Sequence, residues 1–210
     1  MIIAIDGPTA SGKGTIAKRI AAHYGFHLLD TGLLYRAVAR AVLDAGQSLD
    51  DSEGATAIAQ ELDFGALDEK RLRTREIGDA ASVVSAYPGV RQALFEGQRF
   101  FAQKKPGTVL DGRDIGTVIC PEAEAKLFIT ASPEIRAHRR WLELVKLDPA
   151  LSEESVLADI RRRDERDSNR SNAPLKIADD ARLLDTSLMD IETASREALR
   201  LIGASLSRQG

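Results

Sequence analysis

Short apolar runs alternate along the chain with longer segments in which apolar residues recur every three or four positions. The runs are "IIAI" at 2–5, "FHLLD" at 26–30, "TVLD" at 108–111, "AKLFIT" at 125–130 and "ARLLD" at 181–185. Their length and apolar content predict strands. Between them, helical periodicity predicts helices over Lys13–Tyr24, Gly32–Ala45, Glu53–Leu62, Arg75–Ala86, Val90–Lys104, Pro133–Val145, Ser152–Arg166 and Asp190–Ser207. Strands that alternate with helices describe a parallel sheet covered on both faces, an α/β fold. Two stretches depart from the alternation: a long helical insertion between about Ser48 and Lys105, and a charged segment from about Ser152 to Leu175.

At 210 residues the chain has room for one compact core with appendages. Its 29 basic and 32 acidic residues nearly cancel, so net charge advertises neither a nucleic acid nor a membrane surface as partner. Any anion must be met locally. A single cysteine, Cys120, excludes an internal disulfide and fits a reducing compartment, so the cytoplasm is the expected location. The N-terminal apolar run reaches Asp6 at once, too short for a signal peptide, and no segment is apolar enough to span a bilayer. His23, His27 and His138 have no metal-ligand spacing with one another or with Cys120, and no structural metal is expected. Trp141, on an amphipathic helix, is expected at a packing boundary.

The first run leads into "DGPTASGKGT". Gly7 to Lys13 reads G-x-x-x-x-G-K between a predicted strand and a predicted helix, a loop whose amides encircle phosphate oxygens at a helix N-terminus. Gly7, Pro8, Thr9, Ala10, Ser11, Gly12, Lys13, Gly14 and Thr15 are thus candidates for the donor nucleotide, with Lys13 bridging its outer phosphates. The general pattern places Ser or Thr directly after the lysine, whereas here Gly14 intervenes before Thr15. A magnesium ion could then be held by phosphate oxygens and water, with Thr15 as a candidate metal residue.

Further along, "LLDTGLLYR" sets Asp30, Thr31 and Gly32 at a helix start, where Thr31 reads as an N-cap. "TVLDGRDIGT" puts Asp111, Arg113 and Asp114 at the C-terminal end of a strand, the edge at which open parallel sheets bind ligands; a surface turn is the plainer alternative. In "DIRRRDERDSNRSNAPL", Arg163, Asp167 and Arg170 share one face of a continuous helix. Arginines at 161, 162, 163, 166 and 170 without a lysine suit phosphate forks better than solubility, and "SNAPL" breaks the helix as a closing flap requires.

"GKGT" is the variant carried by small kinases of nucleoside monophosphates. The chain resembles the bacterial cytidylate kinases through "GPTASGKGT", "LLDTGLLYR", "ASVVSAYPGVRQAL", "LDGRDIGT", "EIRAHRR" and "RRRDERDSNRSNAPL", blocks that cover most of the chain in family order. The resemblance implies the P-loop nucleoside monophosphate kinase fold, with a five-stranded parallel sheet, a helical acceptor-binding insertion and a short lid. The core is then expected at about 1–30, 106–150 and 176–210, the insertion at 31–105 and the lid at 151–175. The insertion looks trimmed, since "LDFGALDEKRLRTREI" at 62–77 leaves little room for strands.

By the same resemblance, Thr31, Arg36 and Arg113 contact the acceptor, and Ser82, Arg91 and Asp114 face its base. Arg163, Asp167 and Arg170 contact the acceptor or the moving phosphate, Arg139 lies on the ATP side, and Asp111 supports magnesium. Lys13, Asp111, Arg163 and Arg170 form the expected catalytic set. A carboxylate beside an arginine complements the exocyclic amine and ring acceptors of cytosine, whereas uracil reverses two of those groups. The implied reaction is Mg2+-dependent transfer from ATP to CMP or dCMP in a monomer, with no general base. A UMP, AMP or non-nucleotide kinase, or a nucleotide switch or ATPase without a small acceptor, is the alternative.

Overall fold

The computed structural model describes residues 1–65 and 67–207; Ala66, within the expected insertion, and residues 208–210, at the end of the expected core, lie outside the described residues. All five apolar runs form strands: β1 (Ile2–Asp6), β2 (His27–Asp30), β3 (Thr108–Gly112), β4 (Ala125–Thr130) and β5 (Arg182–Asp185). They make one parallel sheet in the order β2-β3-β1-β4-β5. The chain leaves β1 to one side for β2 and β3, then crosses to β4 and β5. That reversal opens a crevice at the C-terminal ends of the strands.

The helices are α1 (Lys13–Tyr24), α2 (Thr31–Asp44), α3 (Ser52–Gln60), α4 (Glu69–Leu72), α5 (Arg75–Val84), α6 (Pro88–Ala102), α7 (Pro133–Leu144), α8 (Glu153–Asn169) and α9 (Ile191–Leu206). Side chains alternate across the sheet, so its two faces build separate cores. Ile3, Ile5, Val109, Leu127 and Ile129 pack with Ile16, Ile20, Ala198 and Ile202 of α1 and α9. Ala4 and Leu110 pack with Leu34, Val38, Val84 and Leu94 on the other face. The elements between β2 and β3 therefore share a core with the sheet.

Local chemistry sets the ends. Gly12 opens α1 at φ +86° and Gly25 closes it at φ +66°, conformations that cost a residue without Cβ little. Ser132, Ser152 and Thr74 accept from the amides of Ile135, Ser155 and Ile77 to cap α7, α8 and α5. Thr31 is not the expected cap. Asp30 occupies the N-cap position of α2, without a side-chain cap bond, and Thr31 begins the helix with its hydroxyl donating to the Asp111 carbonyl at 2.8 Å. The pairing of Asp30 with Asp111 across β2 and β3 brings that carbonyl within reach.

Among the described residues of 62–77 there is no strand, only the single turn α4 and the start of α5. α8 runs on to Asn169 rather than stopping at Arg166, and is seated on α7 by Val156, Ile160, Ala137 and Leu144. Trp141 lies at the margin of this cluster, its Nε1 donating to Leu151 O at 2.9 Å.

Leu94, fully buried between α6 and the sheet, tests the second core. Leu94→Ala is expected to lower unfolding free energy by about 3 kcal/mol in urea titration; a loss below about 1 kcal/mol would contradict that packing.

Candidate active site

The crevice at the sheet's C-terminal edge is a cavity of about 660 Å³. Its floor is the loop from Thr9 to Thr15 with the start of α1. One wall is Asp30, Thr31, Tyr35 and Arg36 with Ser82, Ser85 and Arg91; the other is Arg139, Arg140, Thr186 and the start of α9. Asp111 of β3 closes it with Arg113 and Asp114 just past the strand, while Arg163 and Asp167 of α8 cover it with Arg170 at the helix's C-cap. All the candidate residues named from the sequence therefore line one space, except Gly7 and Pro8. Gly7 lies instead against β4: a Cβ there would stand 2.0 Å from the Ile129 carbonyl oxygen, at φ +152°. Glycine is required at that position by close approach of two backbones.

On the floor, Lys13 Nζ stands 3.7 Å from Asp111 Oδ1, and both side chains are nearly enclosed. Burial lowers the lysine's pKa, with the Arg113 charge adding to the effect and Asp111 opposing it. Burial pushes the Asp111 carboxyl up to about 6 against the pull of Lys13. Gly14 keeps the helix start close to this carboxylate, since a Cβ there would lie 3.3 Å from Asp111 Oδ2. Asp111 Oδ1 has no hydrogen-bond partner, which leaves a hard oxygen donor of the kind that suits magnesium. Thr15 lines the cavity from an exposed position on α1.

At the far end, Asp114 pairs with Arg91 through Oδ2 and lies 3.6 Å from Arg170 Nη2 through Oδ1, all three side chains at most 7 % exposed. Tyr35 lies under the Arg91 guanidinium, 5.6 Å from ring centre to Cζ. Between the two ends the charge is dominantly positive. Burial together with Arg163, Arg140 and Arg73 lowers the Arg36 pKa to about 10, with Asp30 opposing. Burial and Arg113 likewise lower that of Arg163. Asp167 accepts from Arg113 Nε at 3.0 Å; although burial favours its neutral form, Arg113 and Arg170 hold its carboxyl below the usual range.

Buried polar atoms without hydrogen-bond partners concentrate here. Ser11 Oγ, Ser82 Oγ, Asp111 Oδ1, Arg163 Nε and Arg170 Nη2 all belong to residues lining the cavity; Thr117 Oγ1 is the other such atom among the described residues. Buried polar groups elsewhere in folded proteins are paired. These five donors and acceptors face one cleft, where a polar ligand could pair with them.

Three functional contributions had no local signature in the sequence. Arg136, 3 % exposed, donates to Ala131 O and Thr9 O and forms a two-pronged pair with Asp164 at 2.9 and 2.6 Å, fastening the loop, α7 and α8 together. Arg140 joins the lining from α7 and Arg73 from the link between α4 and α5. Asp6, at the end of β1, is buried and accepts from the amides of Ile115 and Gly116, each at 2.8 Å. Burial pushes its carboxyl up to about 7; the two amides oppose this and the neighbouring Asp114 and Asp111 add to it.

A glycine loop before a helix, a lysine at a strand-end aspartate, and arginines roofing the far part of the same cleft are the marks of a P-loop kinase of small phosphorylated acceptors. The family model described as "Cytidylate kinase" matches residues 3–203. A cytidylate kinase of Rhodopseudomonas palustris (strain ATCC BAA-98 / CGA009) is 59 % identical over 204 residues, covering 97 % of this chain and 96 % of that protein. One from Azorhizobium caulinodans is 61 % identical over 202 residues, covering 96 % of this chain and 98 % of its own. A solved structure of an uncharacterized protein from Eubacterium ventriosum shares the fold, with a TM-score of 0.57 at 16 % identity over 97 % of this chain and 99 % of that one. The chain belongs to the cytidylate kinase family.

A carboxyl held at about 7 in the fold but titrating near 3.8 otherwise binds its proton only in the native state across that window, so it contributes less stability as pH rises through it. Relative to the parent, Asp6→Asn is therefore expected to gain unfolding free energy between about pH 4 and pH 7, read from urea midpoints. A difference that stays flat across that range contradicts the assignment.

Proposed function

We propose that the protein transfers the γ-phosphoryl group of ATP to the 5′-phosphate of CMP or dCMP, giving ADP and CDP or dCDP. The observation that carries the reading is the set of orphaned polar atoms at both ends of one cleft, in a chain of this family. Ser11 and Asp111 lie at the loop end, Ser82 and Arg170 at the far end, and Arg163 between. The loop residues with Arg139 then take the donor. Thr31, Arg36, Arg113, Asp167 and Arg170 take the acceptor, and Ser82, Arg91 and Asp114 read its base. Cytosine's amine donates to a carboxylate and its ring acceptors receive from arginine and hydroxyl; uracil would leave buried groups unpaired.

In-line transfer needs positioning and positive charge more than covalent chemistry. Arginines that repel one another stay charged, and phosphate oxygens lying between them relieve that repulsion. Lys13, Arg163 and Arg170 are the groups best placed to stabilise charge spreading over the moving phosphoryl group, and no general base is needed because the acceptor phosphate is already an anion. Magnesium bound with the nucleotide supplies further neutralisation of its phosphates. Asp111 is the side chain fitted to hold it, directly or through water, with Thr15 as the second candidate.

The segment 31–105 serves as acceptor-binding insertion and 151–175 as lid around the core. Ion pairs between Arg75 of α5 and Asp159 of α8, and between Arg113 and Asp167, tie these parts across the cleft and would exclude water when the substrates are enclosed. No described helix is long and apolar enough to cross a membrane, and cytoplasmic nucleotides are the substrates to which this reading assigns the enzyme. A switch or ATPase without acceptor is not favoured, because it leaves the far pocket and its base-reading groups without a purpose.

Coupled ADP release with ATP and magnesium is expected to be fast with CMP and dCMP, slow with UMP and AMP, and negligible without acceptor. Equal turnover with UMP would refute the base reading, and release without acceptor would refute the kinase. Lys13→Met is expected to lower kcat by roughly 100-fold or more, the scale of removing one preorganised donor at a developing charge. Near-normal turnover in that variant would remove the lysine from its role.

A further inference from the structure

Asp114 is useful to a base only if its carboxylate is aimed, and it sits where the chain leaves β3 with φ −143° and ψ 25°. The residues after it, Ile115–Ile119, form one wide π-type turn. Its carbonyls are engaged: Asp114 O accepts from Val118 N at 2.9 Å and from Ile119 N at 3.1 Å, and Ile115 O accepts from Cys120 N at 2.7 Å. The opening amides of such a turn have no partner within it. Here those of Ile115 and Gly116 donate to the two oxygens of Asp6, a residue more than a hundred positions away in the chain. Gly116 permits the approach, because a Cβ there would lie 3.1 Å from Lys126 Cδ and 3.4 Å from Asp6 Oδ2.

We infer that Asp6 is a positioning residue for Asp114: by clamping the two amides that follow it, Asp6 fixes the carboxylate that distinguishes cytosine from uracil. The inference rests on the reading of Asp114 as a base contact. It assigns a use to a carboxylate that touches neither nucleotide pocket directly, since Asp6 does not line the cleft. The β1 pairing explains the choice of residue: Asp6 lies level with Gly112 of β3, so it is the β1 side chain nearest the start of the turn. A buried carboxylate is costly to keep, and the two amide donors compensate for it. Its neighbour Gly7 begins the phosphate loop, but both hydrogen bonds of the Asp6 carboxylate go to the turn and none to the loop.

The test compares the parent, Asp6→Asn and Asp114→Asn at a pH well above 7, measuring kcat and KM for CMP, UMP and ATP. Asparagine keeps the shape but turns one acceptor into a donor facing an amide. Asp6→Asn is expected to raise KM for CMP by about 10-fold and to narrow the CMP-to-UMP preference in kcat/KM by a similar factor, with KM for ATP changed less than about twofold. Asp114→Asn should narrow the preference at least as far. If Asp114→Asn narrows it and Asp6→Asn does not, or if Asp6→Asn damages CMP and ATP use equally, the positioning role is overturned while the base reading stands. If Asp114→Asn keeps the full preference, the base reading fails and the inference falls with it. Hydrogen exchange in the unaltered protein covers the case in which Asp6→Asn does not fold. The Ile115 and Gly116 amides are expected to exchange about 100-fold or more slowly than free peptide, and unprotected exchange overturns the clamp.

Discussion

Concentrated buried positive charge is the constraint on which this structure depends. Burial and Arg163 lower the affinity of Arg36 for its proton, and burial and Arg113 lower those of Arg163 and Lys13. Such a cluster is tolerable only with carboxylates set among the cations and a rigid frame holding both. Asp111, Asp114 and Asp167 supply the first, each from a different depth of the cleft. The sheet supplies the second, by ending β2, β3 and β1 level with one another.

Function follows from leaving that compensation incomplete. Arg163 Nε and Arg170 Nη2 are buried without hydrogen bonds although carboxylates stand nearby. A fully paired site would be more stable and would bind nothing, whereas this one gains most from an anion that reaches several arginines at once. Two nucleotides that carry phosphate toward each other meet that demand. Arg136 adds a mechanical link, because one guanidinium joins the phosphate loop, α7 and α8.

Much of this was legible in the chain. The five apolar runs became the five strands, and each expected helix began and ended within a few residues of its periodic segment, whereas the single turn α4 and the π-type turn at Ile115–Ile119 had none. The phosphate loop announced itself because backbone amides need glycine spacing, a local property. Arg163 and Asp167 share one face of α8 as their spacing dictates, whereas the helix ends at Asn169 and Arg170 reaches the same cleft as its extended C-cap. Where the expectation failed, a tertiary bond had overridden a local rule: Thr31 reads as a cap, yet its hydroxyl is taken by the Asp111 carbonyl across the sheet.

Asp6, Arg73, Arg136 and Arg140 were not legible, because nothing adjacent to them in sequence distinguishes them from strand-end or surface residues. Their roles arise when β1 is laid beside β3 and α8 is seated on α7, contacts between segments far apart in the chain. The sequence by itself determined the element order, the loop that takes phosphate and the family to which the chain belongs, since these depend on spacing and residue type. Only the tertiary structure decided which charges are buried, which carboxylate holds which cation, and which polar atoms remain unpaired. Burial and pairing are properties of the space between segments, and that space exists only once the sheet has closed.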